Sequence, residues 1–169
     1  MAMAVPTVDY EDLSSNLLKA SYHGDVRAVA DLLNDSETQV DAVTPTTGRN
    51  ALHIACSEGH VDIVDILCAD GRFNVNVRDL AAHLRARDAL HDTVSHVHGD
   101  FQVGAAHDET PFYYACARNQ LAVVQMLYRI GVDIERPDDF RRSPFYTACM
   151  HGQYEVGGRC AFLFVALAT

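Results

Sequence analysis

The chain has 169 residues, enough for one domain that buries a core without help from disulfides or metals. Apolar residues at 49% against 21% charged exclude a solvated, disordered polymer. With 13 basic and 23 acidic residues the net charge is −10, which repels a phosphate backbone and argues against generic nucleic-acid binding. Met1 to Leu18 show no basic region followed by an apolar core, so a secretory leader is not expected. The longest apolar candidate, Cys160 to Thr169, would span roughly 15 Å as a helix against about 30 Å of hydrocarbon, so membrane insertion is not expected either. Five cysteines, an odd number, then read as reduced thiols and point to the cytoplasm, with the nucleus as the other option.

In chain order, the first helical stripe is Leu17 and Ala20, closed by Gly24, and a second follows at Val26, Val29 and Leu32. The same pattern returns at a constant offset of 35 as Leu52, Ala55, Gly59, Val61, Val64 and Leu67. Gly71, after the second of these helices, suits the left-handed position that ends a helix. The segment Asn50 to Cys56 aligns with Thr110 to Cys116 and with Ser143 to Cys149, the last two standing about 33 residues apart. In each, Cys56, Cys116 or Cys149 follows an alanine, and these small residues let neighbouring helix pairs approach closely. Thr110-Pro111 and Ser143-Pro144 read as an N-cap followed by proline at the first helical position, where the missing amide hydrogen costs nothing. Val40 to Gly48, Phe73 to Asp79 and Val132 to Asp138 have the alternating, turn-ended look of extended hairpins.

These segments resemble the Thr-Pro-Leu-His-x-Ala signature of ankyrin repeats, whose period is about 33 residues. The resemblance implies an all-α solenoid of stacked helix pairs with short β-hairpin connections. About four repeats are present, with one insertion of about 27 residues beyond the family period and an incomplete last repeat. The ankyrin-repeat domain is read as residues 11–156, with the insertion at about 80–106 and an irregular apolar tail at 157–169. One unit cannot bury its apolar faces alone, so stability becomes a sum over repeat interfaces.

Two regions depart from the pattern. Leu52 and Phe112 stand nearly two periods apart rather than one, and the extra segment is read as an insertion extending a hairpin, with a short helix over Leu80 to Leu90; a decayed repeat is the alternative. It carries His83, His91, His96 and His98, with His107 following. Zinc would need three or four ligands converging at about 2.0 to 2.3 Å, and no known ligand spacing occurs, so no metal or cofactor is expected. At the other end, Gly157-Gly158-Arg159 would break the second helix of the last repeat. The stack is therefore expected to close poorly there, and self-association through the apolar tail is expected.

No nucleophile elbow, metalloprotease helix, phosphate loop or dinucleotide fingerprint is present, so the reading is non-enzymatic. Cys56, Cys116 and Cys149 are read as packing residues. By the resemblance, His53 and His60 brace the hairpin or helix turn, while Tyr113, Tyr146, Gln120 and Gln153 replace them later. The resemblance also implies a partner protein bound on the concave face. Its register selects Tyr22, His23, Thr46, Thr47, Arg49, Ser57, Glu58, Glu109, Ala117, Arg118, Asp139, Phe140, Arg142, Met150 and His151. Of these, Tyr22, Phe140, Met150 and the arginines 49, 118 and 142 are the expected anchors. The alternatives are a regulatory or targeting fragment of a larger multidomain enzyme, or a histidine-loop metal-binding protein.

Overall fold

The computed structural model describes residues 13–79, 108–153 and 156–158. The helix expected over Leu80 to Leu90, all five histidines of the inserted segment and the tail from Arg159 onward lie outside the described residues.

Seven named helices occur among the described residues: α1 (Asn16–His23), α2 (Val26–Asn34), α3 (Ala51–Glu58), α4 (Val61–Ala69), α5 (Pro111–Ala117), α6 (Leu121–Ile130) and α7 (Pro144–Met150). They form pairs, α1 with α2, α3 with α4 and α5 with α6. The first helices stack in the series α1, α3, α5, α7 and the second helices in the series α2, α4, α6. The described residues thus form an all-α solenoid of stacked helix pairs, as the resemblance implied. Helices of seven to ten residues are too short to be stable alone, so the stack must hold them.

Local chemistry sets each boundary. Ser15, Asn50, Thr110 and Ser143 cap α1, α3, α5 and α7, each accepting a hydrogen bond from the amide three residues on, at 3.1–3.2 Å. Pro111 and Pro144 occupy the first turns of α5 and α7. Helices α3 and α5 are buried almost all round, because each has a first helix stacked on both sides: Leu52, Ile54, Ala55 and Cys56 on α3 are completely buried. The second helices bury one stripe, Ile63, Val64 and Leu67 on α4 and Val123, Val124 and Leu127 on α6.

The expected β-hairpins are hairpin loops rather than strand pairs. Among the described residues β pairing is limited to an isolated bridge between Val43 and Asn50. In each tip the opening residue's amide instead donates across it: Thr44 to the Arg49 carbonyl (2.9 Å), Asp79 to the Glu109 carbonyl (3.1 Å) and Asp138 to the Arg142 carbonyl (3.0 Å). The side chain of the opening residue then accepts from the amide of the closing one, at 2.9, 3.1 and 2.8 Å respectively. Just before each closing residue the backbone turns left-handed, at Gly48 (φ 67°), Asp108 (φ 66°) and Arg141 (φ 60°). A side chain of the opening residue thus closes all three tips, whatever the length of chain between their ends.

This equivalence locates the extra segment. The chain leaves at Asp79 and returns at Asp108, inside one hairpin tip, and Arg78 pairs with Asp108 across the root. Meanwhile α3 packs directly on α5 and α4 on α6, so no helix pair stands between the second and third repeats.

The last repeat differs from the expectation at Gly157. Residues 156–158 are helical, with the Gly157 amide donating to the Gln153 carbonyl at 2.8 Å. Val156 is completely buried, and a β-carbon on Gly157 would lie 3.3 Å from the Cys149 sulfur. Gly157 itself is helical, and a side chain there would crowd Cys149 of α7. The boundary expected between residues 156 and 157 therefore falls within a helical stretch.

Candidate protein-binding face

Hairpin tips and the outward residues of the first helices line one side of the stack, because every repeat presents them in the same register. Of the expected contact residues, His23, Asp139, Phe140 and Met150 are exposed, and Tyr22, Glu58, Arg118, Arg142 and His151 are half-buried. Thr46 is exposed at the first tip. Phe140 is 51% and Met150 42% exposed, large apolar side chains facing water.

The fourth-repeat tip is built around Asp138. One of its carboxylate oxygens accepts from the Phe140 amide at 2.9 Å and the Arg142 amide at 2.8 Å. The other accepts from Arg142 Nε at 2.6 Å and the Tyr113 hydroxyl at 3.1 Å. The Arg142 guanidinium carbon then lies 4.7 Å from the centre of the Phe140 ring. Phe140 is thereby held in a fixed pose at the tip, which lowers the entropy lost when a partner covers it.

Five of the expected residues must be corrected. Arg49 is completely buried and is not a surface anchor. Its guanidinium carbon stacks 4.1 Å from the Tyr114 ring centre, and its Nε donates to the Tyr114 hydroxyl at 2.8 Å. That hydroxyl donates in turn to Asp79 at 2.7 Å. A charged side chain goes inside here because the neighbouring repeat supplies an aromatic face and a carboxylate. Ser57 is buried as well, because Gln120 of the next repeat reaches across it and donates to its carbonyl at 2.9 Å. Thr47, Glu109 and Ala117 are likewise buried rather than outward.

His53 has the bracing role that its position implied. Its Nδ1 accepts from the Asn50 amide at 3.3 Å, and its Nε2 donates to the Glu109 carbonyl at 3.2 Å, tying α3 to the next hairpin. Burial, helped by the Arg49 charge and opposed by the bond to Glu109, pushes its pKa down to about 3, so it is a neutral strut rather than a contact. Tyr113, the residue in register with His53, braces forward through Asp138 instead. Burial also lifts the Cys56 thiol well above its ordinary value and Cys68 to about 11, which makes both poor nucleophiles.

Sequence reasoning missed the buried set Arg49, Asp79, Glu109 and Tyr114. A signal existed, since Arg49, Glu109 and Arg142 occupy equivalent tip positions and one of the three is acidic.

Among the described residues there is no group of three or more His, Cys, Asp or Glu side chains placed to hold a metal, and no helix long and apolar enough to cross a membrane. No curated protein matches the chain. A family model described as ankyrin repeats (three copies) matches residues 17–101, and one described as ankyrin repeat matches residues 107–139. Between them these matches take in α1 to α6, with residues 80–101 of the first lying outside the described residues, and the chain belongs to the ankyrin-repeat family.

Proposed function

We propose that this protein is a non-catalytic binding module that holds a partner protein on the hairpin-tip and first-helix side of the stack. Ankyrin repeats are in general protein–protein interaction modules. The observation that carries the finer reading is Phe140, half exposed and clamped by Arg142 and Asp138 at the fourth tip, with Met150 exposed on the helix that follows. Aromatic residues, Met and Arg concentrate at the centres of protein interfaces, where a few residues supply most of the affinity. Arg118 contributes from the C-cap of α5 and Tyr22 from α1, and His23, Glu58, Asp139 and His151 form the surrounding rim. The four described cysteines are free thiols, which supports a cytoplasmic or nuclear setting.

The test is affinity capture with the chain as bait. Arg118→Ala, Phe140→Ala and Met150→Ala should each weaken a captured partner by roughly 1–2 kcal/mol without lowering the unfolding midpoint. Full retention by the triple variant would move the interface elsewhere.

A further inference from the structure

The root of the inserted segment holds an unbalanced set of charges. Asp79 and Glu109 are both buried, Glu109 being 4% exposed, and they exchange backbone and side-chain hydrogen bonds across the hairpin tip. In the same tip, Arg78 is taken by Asp108. On the following hairpin, Arg142 is taken by Asp138, while Asp139 is exposed. From the preceding repeat come Arg49 and the neutral His53; from α5 come the hydroxyls of Tyr113 and Tyr114.

Among the described residues two buried carboxyls therefore share one buried cation. The Tyr114 hydroxyl has a single proton and gives it to Asp79, and Glu109 Oε2 is buried with no hydrogen-bond partner. An ionised carboxylate in that position would be an uncompensated buried charge. At the equivalent site of the fourth repeat the closing residue is Arg142, so Asp138 has its cation within its own tip.

We propose that the Glu109 carboxyl keeps a proton well above the ordinary glutamate range and gives it up only around neutrality, and that this proton completes the charge balance of the hairpin root where the inserted segment leaves and re-enters the stack. The root is then a pH-sensitive joint, firm when Glu109 is neutral and weakened when it ionises. Burial, with the adjacent Asp79 charge adding to it and Tyr114 and Arg49 opposing it, lifts Glu109 to about 7, in keeping with this assignment. A folded-state pKa above the unfolded value means that the fold binds the extra proton. Stability from this group is thus full below the ordinary glutamate range and is lost as pH rises towards about 7.

The test compares the full chain with Glu109→Gln, which imitates the neutral acid, by denaturant unfolding at pH 5.5 and 8.5. Between these values the unfolding equilibrium constant of the parent chain should rise about tenfold or more relative to that of the variant. His53 titrates identically in both and cancels. Carboxyl carbon-13 resonances of glutamate-labelled parent chain give a second measurement that needs no variant, and one glutamate should titrate near neutrality. Parallel stability curves for the two chains, or glutamates that all titrate near the ordinary value of about 4.3, would overturn the proposal.

Discussion

His53 and Glu109 touch each other through one hydrogen bond and yet respond to acid in opposite directions. Burial disfavours charge on both, but the charged form of histidine is the protonated one and that of glutamate is not. With its pKa lowered to about 3, His53 contributes stability that is full above the ordinary histidine pKa and is lost as pH falls from about 6.5. Between pH 6.5 and 4.5 this should cost the parent chain about 2 kcal/mol relative to His53→Gln, read as the change in their stability difference by denaturant unfolding. A difference that does not change with pH would mean that His53 is solvated. The histidine's place was legible, since it lies three residues after a capping asparagine at the start of an apolar stripe. Its acceptor was not, because Glu109 stands 56 residues away.

At the level of the helix pair, one device recurs. His60 donates to the Tyr22 carbonyl at 3.0 Å, Gln120 to the Ser57 carbonyl at 2.9 Å and Gln153 to the Ala117 carbonyl at 3.5 Å. Each side chain reaches back to the end of the first helix in the previous repeat, and His60 and Gln120 do so from the N-caps of α4 and α6. The space for it comes from the left-handed residue ending that first helix: Gly24, Gly59 and Asn119, with φ of 77°, 85° and 60°. At Gly59 the positive φ calls for glycine, and a β-carbon there would meet the Gln120 side-chain amide and push it from the Ser57 carbonyl. Histidine and glutamine look unlike as letters but both place a donor nitrogen at the end of a short side chain. Gln120→Ala should lower stability by about 1 kcal/mol, and Gln120→His should recover most of it, as read from urea midpoints. Equal loss in both variants would show that shape rather than the donor matters.

Over the whole molecule, stability is distributed along the series of stacked helices rather than gathered in one core. The inner faces must stay small where helices approach, and Ala55, completely buried on α3, is the sharpest instance. Ala55→Leu should overpack the contacts of α3 with α1 and α5 and cost about 1–3 kcal/mol, seen as a lower unfolding midpoint. The same logic explains the exposed apolar groups of α7. Tyr113 on α5 is 4% exposed because α7 covers it, while Tyr146, its equivalent on α7, is 48% exposed.

Period, caps, helix stripes and the place of the extra segment are local or nearly local, and each could be read from spacing. Short-range rules carry them: a threonine or serine before proline starts a helix, and an apolar residue every three or four positions faces the neighbouring pair. Whether an outward-looking position is wet or dry is a different matter. Arg49, Ser57 and Glu109 share the register of tip and helix residues that face solvent elsewhere, and they are buried because Tyr114, Gln120 and Asp79 close over them from 65, 63 and 30 residues away. The charge imbalance at the root of the inserted segment arises in the same way. Three hairpin tips have one backbone plan, but folding sets Arg49 beside two acids, and burial turns that composition into a site for a proton.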